Sequence, residues 1–171
     1  IPFAGQSVNS TGYSAVLGWL FGQSNYDGMV AVVQGSWTSY ISAVLRTVEI
    51  TNTNTVSDYA FANIKTLTNV TLANSITTIG NSAFSGCIGL TSINLECVTS
   101  FGNNAFYGTS SLIEVDFSDN LTTIGSSAFY GSRIGKIELP DSIVSVGSLA
   151  FASNSVLRTI IIRKDGAMLS Y

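Results

Sequence analysis

The dipeptide Ala-Phe occurs at Ala60-Phe61, Ala83-Phe84, Ala105-Phe106, Ala128-Phe129 and Ala150-Phe151, at intervals of 23, 22, 23 and 22 residues. A second pattern, apolar-x-x-apolar-x-apolar, keeps the same period. It reads LRTVEI (45–50), LTNVTL (67–72), LTSINL (90–95), LIEVDF (112–117), IGKIEL (134–139) and LRTIII (157–162). A unit of this size cannot bury its own apolar face, so the units must stack, each contacting its neighbours. The chain is therefore predicted to be a repeat solenoid of strands and turns, with function on the surface that stacking creates.

Each unit has three parts, clearest in LTNVTLANSITTIGNSAFSGCIG (67–89). The LxxVxL piece alternates as a strand does, and successive copies would pair in parallel at about 4.8 Å. Next comes apolar-x-x-apolar-Gly. Its Gly80, Gly102, Gly125 and Gly147 would serve either a positive φ or a close approach to the neighbouring coil. The Ala-Phe pair and a small residue such as Gly86, Gly108 or Gly131 then make the return side, with the five phenylalanines predicted to stack as one aromatic column. Ser75, Cys97, Asn120 and Ser142 share one repeated position, predicted to hydrogen-bond the backbone of adjacent coils. Cys87 occupies a slot filled elsewhere by Thr109, Ser132 and Asn154, so Cys87 and Cys97 read as two reduced core thiols rather than a disulfide.

Residues 1–44 lack the repeat and divide the chain into an N-terminal cap or assembly segment (1–44) and a solenoid of five to six units (45–171), the last incomplete. Within 1–44, STGYSAVLGWLFGQ (10–23) is a helix candidate interrupted by glycines, MVAVV (29–33) reads as a buried strand, and SWTSYISAV (36–44) as a half-buried strand. The chain starts at Ile1 without a signal-peptide pattern and stops inside a unit, so it reads as a mature product or a fragment.

Composition narrows the functional classes. An apolar content of 46% argues against disorder, while charged residues are only 10% and Ser, Thr and Asn number 55 of 171, so hydroxyls and amides solvate the surface. Seven scattered basic residues and a net charge of −3 give no footprint for nucleic acid. The absence of histidine removes the commonest general base and metal ligand and every Ser-His or Cys-His nucleophile pair. No apolar run approaches the roughly 20 residues that span a bilayer.

The order I-x-x-I-G-x-x-A-F-x-G-x-x-x-L-x-x-I-x-L, present as ITTIGNSAFSGCIGLTSINL (76–95) and LTTIGSSAFYG (121–131), resembles the BspA-type leucine-rich repeat family. The likeness spans about 45–162. VSDYAF (56–61) lacks the glycine, and IGKIEL begins with Ile134 in place of Leu. The resemblance implies a curved right-handed leucine-rich-repeat solenoid with a parallel β-sheet on its concave face. It also implies bacterial cell-surface or secreted placement and non-enzymatic binding or adhesion. The family is similar to modules of phage tail and fibre proteins, which adds the virion surface as a second setting, with residues 1–44 holding copies together.

On such a face the strand register predicts two outward columns. One is Glu49, Thr71, Asn94, Asp116, Glu138 and Ile161; the other is Thr47, Asn69, Ser92, Glu114, Lys136 and Thr159. Glu114 and Lys136 become lateral neighbours, expected to form an ion pair worth ~0.5 kcal/mol. Asp116 and Glu138 are also neighbours, at about the spacing of a retaining glycosidase pair. An open face offers no pocket to raise one pKa, so no catalytic, cofactor or metal site is assigned. Weak cation binding with Glu96 or Asp119 stays a minor alternative. On the return side Tyr107 and Tyr130 stand where other units have Ala62, Ser85 and Ala152, either as an outward patch or as packing between coils. The candidate partner-binding residues are thus Asn94, Tyr107, Glu114, Asp116, Tyr130, Lys136 and Glu138. The partner class is a surface protein or glycan.

Overall fold

The computed structural model describes residues 29–34, 37–42 and 44–163. The helix candidate at 10–23 lies outside them, as do the ends of the chain. The described residues form twelve strands and no helix. Strands β1 (Met29–Gln34) and β2 (Trp37–Ser42) pair as an antiparallel hairpin that joins no sheet of the solenoid. Both were predicted as strands; their pairing with each other was not.

From Leu45 the chain winds as a parallel β solenoid. The LxxIxL pieces supply β3 (Thr47–Ile50), β5 (Asn69–Leu72), β7 (Ser92–Ile93), β10 (Lys136–Leu139) and β12 (Thr159–Ile162). The apolar-Gly pieces supply β4 (Thr55–Val56), β6 (Thr78–Ile79), β8 (Ser100–Phe101), β9 (Thr123–Ile124) and β11 (Ser145–Val146). This second set makes an unbroken five-stranded sheet in the order β11-β9-β8-β6-β4. The first set is divided into β3-β5-β7 and β10-β12. Its register pairs Thr47 with Asn69, Asn69 with Ser92, Glu49 with Thr71, Lys136 with Thr159 and Glu138 with Ile161, all steps of the predicted columns.

Alternation sets what is buried. In KIEL, Ile137 and Leu139 point into the core while Lys136 is exposed and Glu138 half-buried. The core is a column in which Phe61, Phe84, Phe106, Phe129 and Phe151 stack, with centroids 5.3, 5.2, 5.1 and 5.6 Å apart and planes within 13°. Each such contact adds about 0.5–1.5 kcal/mol beyond burial. Phe101, where other units have Ile or Val, enters the column edge-on, 5.2 Å from Phe129.

Polar ladders hold the turns. Thr99 Oγ1 donates to the Thr77 carbonyl and Thr122 Oγ1 to the Thr99 carbonyl, both at 3.1 Å. The Asp58, Asn81 and Asn103 side chains accept from the backbone N–H of Asn81, Asn103 and Ser126 at 2.7, 2.8 and 2.8 Å. Of the ladder predicted at Ser75, Cys97, Asn120 and Ser142, the two serines make it, donating to the carbonyls of Thr53 and Leu121. The Cys87 slot is a third column. The Cys87 thiol donates to the Phe61 carbonyl, Thr109 Oγ1 to that of Phe106, and Asn154 Nδ2 to that of Phe129. Burial pushes the Cys87 thiol up to about 12, the Ile64 N–H pulling weakly the other way, and both cysteines are free.

Backbone hydrogen bonds run in opposite senses on two walls. On the return wall the N–H of Phe61, Phe84, Phe106 and Phe129 donates forward, to Ala83, Ala105, Ala128 and Ala150 of the next coil. On the glycine wall Gly80, Gly102, Gly125 and Gly147 donate backward, to Val56, Ile79, Phe101 and Ile124. These four glycines serve close approach. The left-handed dihedral falls instead on Gly86, Gly108 and Gly131 and on the residue before each Ala-Phe pair. That residue is Tyr59, Ser82, Asn104, Ser127 or Leu149, with φ of 52–58°. Leucine is the poorest fit there, because its Cβ crowds the following carbonyl and it has no short polar group to compensate. With Leu149 63% exposed, little packing is lost on replacement. Leu149→Asn is therefore expected to stabilise the chain by about 1 kcal/mol, read as a higher urea midpoint at unchanged slope.

Candidate binding site

The divided sheet opens at residues 113–117, the central coil's LxxIxL segment, which joins neither β7 nor β10 in a ladder. Two residues depart from the repeat beside this opening. After Ile93 the backbone ladder to β5 stops and the Asn94 side chain takes over, accepting from Leu72 N–H at 2.7 Å and donating to Leu72 O at 3.0 Å. One coil later Phe117 fills the slot held by Leu72, Leu95 and Leu139 elsewhere. Its ring packs 5.7 Å from Phe101 and 5.5 Å from Phe129.

Two adjoining depressions lie here, sharing Val115, Asp116 and Glu138. One is completed by Phe117, Asp119 and Arg163, the other by Ile113, Glu114 and Lys136. Four of the seven predicted residues thus come together here. Asn94 lies just upstream with its amide committed to Leu72. Tyr107 and Tyr130 lie apart on the return side, their rings 4.9 Å apart and 4° from parallel. Outward exposure and packing between coils therefore both hold for this pair, Tyr107 being 41% exposed.

The expected Glu114–Lys136 pair does not form. Lys136 Nζ instead meets Glu138 Oε2 on its own strand at 2.9 Å, and Arg163 pairs with Glu138 Oε1. The cause is the opening itself. Beyond a single long bond from Gly135 N–H to the Ile113 carbonyl at 3.4 Å, no ladder fixes Glu114 beside Lys136, whereas residues i and i+2 of one strand share a face. Arg163 also stands 3.9 Å from Asp119. Arg163 was not among the predicted residues, yet aligning LRTIII with IGKIEL sets it opposite Pro140, one position beyond Glu138's neighbour.

The Lys136 hydrogen bond, then that of Arg163, holds the Glu138 carboxyl below the usual carboxylate range. The two cations thus favour the ionised form of Glu138. Two cations spent on this carboxylate leave the depression of mixed sign. No group of three or more His, Cys, Asp or Glu placed to hold a metal occurs among the described residues. Within them, no helix is long and apolar enough to cross a membrane.

A parallel β solenoid with stacked phenylalanines and polar ladders defines a leucine-rich-repeat fold. The pattern described as BspA type Leucine rich repeat region matches residues 38–163 in six copies, and the chain belongs to that family. The fold is shared with a leucine-rich repeat protein of T. pallidum (TM-score 0.67, 23% identity, covering 80% of this chain and 70% of that one). It is shared equally with a leucine-rich repeat protein from Bacteroides ovatus (TM-score 0.67, 21% identity, covering 80% of this chain but only 40% of that one). No curated protein matches the chain.

Proposed function

We propose that the chain is a non-enzymatic recognition or adhesion module that holds a protein or glycan outside the cell, at a bacterial surface, in secreted form or on a virion. One observation supports this reading most: in a chain with only 10% charged residues, the opened sheet gathers Glu114, Asp116, Lys136 and Glu138 around one opening. Mixed charges on a rigid face select and orient a partner more than they add affinity. The triple variant Glu114→Lys, Asp116→Lys, Lys136→Glu changes three exposed side chains and leaves the core intact. Against a panel of bacterial surface proteins and neutral and acidic glycans, it is expected to lose about tenfold or more in affinity, chiefly through slower association at low salt. Undiminished binding by the variant moves the site elsewhere, and a parent chain that binds nothing removes the recognition reading.

A second reading, a structural subunit such as a phage fibre or extracellular filament, is supported by exposed apolar side chains in the middle of the solenoid, Ile113, Val144 and Leu149 being 60%, 62% and 63% exposed. Residues 1–44 are then the candidate self-association segment. Light scattering on the full chain separates the readings. A soluble monomer removes the assembly, and a defined homo-oligomer lost on deleting residues 1–44 removes the monomeric adhesin.

A further inference from the structure

The residue after each core phenylalanine forms a column of its own: Ala62, Ser85, Tyr107, Tyr130 and Ala152. The turns around it are alike in every coil, the residue that follows having φ of 58–72° whether it is Asn63, Gly86, Gly108, Gly131 or Ser153. The backbone therefore does not require an aromatic at this position, and three of five coils do without one. Where the two tyrosines occur they stack on each other, 4.9 Å apart and 4° from parallel. Their inner faces are covered; their outer faces look across Ser85 on one side and Ala152 on the other, side chains too short to cover a ring. Tyr107 remains 41% exposed.

The floor around this two-ring step has a consistent chemistry. The return segments 81–86, 103–108, 126–131 and 148–153 contain no Asp, Glu, Lys or Arg, and outside the buried Ala-Phe pairs consist of Ser, Asn and Gly with Tyr107, Tyr130, Leu149 and Ala152. A ligand suited to it needs a flat apolar face for a ring, hydroxyls for a floor of hydroxyls and amides, and no net charge, because none of these four segments carries a charged side chain to balance one. An acidic or basic peptide meets the last condition poorly, and a sulfated or uronic sugar fails it.

We infer that the Tyr107–Tyr130 step is a docking site for neutral oligosaccharide, a pyranose ring laying its C–H face on the outer face of Tyr107 above Ser85 with its hydroxyls directed to the neighbouring polar floor. The site uses a different segment of the coil from the opening at 113–117 and stands independently of it.

The test is saturation-transfer NMR on the full chain with maltoheptaose, cellohexaose and mannotriose as neutral probes, a heparin-derived hexasaccharide as the charged one, and the peptide Gly-Trp-Gly. The variant Tyr107→Ser, Tyr130→Ala installs residues that other coils already have at this position, so the fold is retained, as an unchanged circular dichroism spectrum would verify. Transfer to ring C–H protons of at least one neutral sugar is expected. It should be unaffected by about 0.5 M salt, where charge contacts are screened, and weakened about tenfold in the tyrosine variant, as loss of one aromatic contact implies. Equal binding by the tyrosine variant, transfer to no neutral sugar, or selection of the heparin fragment or Gly-Trp-Gly over every neutral sugar would each overturn the assignment.

Discussion

Truncating Phe106 to alanine should destabilise the protein by about 4 kcal/mol, within the range for deleting a fully buried aromatic. Phe106 is 0% exposed and touches rings on three sides. Phe84 and Phe129 stack on its faces at 5.2 and 5.1 Å, and Phe101 meets its edge at 6.0 Å. The surrounding coils cannot collapse into the space, because backbone hydrogen bonds on both walls fix their separation. Phe151→Ala is the comparison. At the end of the column, with one stacked neighbour and a half-buried ring, it should cost less than half as much, since part of its surface already faces water. Urea unfolding of the two variants measures the difference. Equal losses would mean that the column is not a continuous core.

Gly125→Ala should cost about 3 kcal/mol, a large penalty for one methyl group. A Cβ at Gly125 would lie 2.5 Å from the Gly102 carbonyl carbon and 2.6 Å from Asn103 N, atoms of the preceding coil's backbone that no rotamer change can move aside. The coils would have to separate, stretching the 2.9 Å bond from Gly125 N–H to the Phe101 carbonyl. Gly108→Ala isolates the other glycine role. Its Cβ would meet nothing within 4 Å, but φ is +69°, so only the dihedral penalty of about 1 kcal/mol applies. Thermal or urea unfolding should therefore rank Gly125→Ala well above Gly108→Ala, and the reverse order would assign the glycine wall to conformational need.

What could be read from the sequence follows from what is periodic in it. The Ala-Phe interval located the core column, and the alternation in LTNVTL and IGKIEL fixed which residues face outward, because both depend only on stacking like on like. The site was legible as a set of residues but not as a geometry. Beside it stand two departures, Asn94 reaching across to Leu72 and Phe117 in a leucine slot, and a departure is invisible to a pattern that averages over coils. The missing Glu114–Lys136 pair follows from the same cause: lateral neighbours were inferred from an unbroken ladder, and the ladder is broken there. Arg163 escaped notice because it follows the last strand, where no later coil repeats its position. The left-handed residue before each Ala-Phe pair was likewise unforeseen, since Tyr, Ser, Asn and Leu share no side-chain property that marks it.

The opposed hydrogen-bond senses of the two walls bear on how such a stack adds or sheds a unit. Peptide dipoles aligned in one sense sum to a field at the ends of a helix; here forward and backward rows offset each other, so length does not build up charge at the tips. The same opposition makes every junction a reciprocal clasp, in which a coil offers donors along one edge and receives them along another. A unit seated on one edge alone leaves the other row of amides and carbonyls unmatched in both partners, at about 1–3 kcal/mol for each such group shielded from water. Half-docked arrangements are therefore disfavoured, and coils should join or leave as wholes.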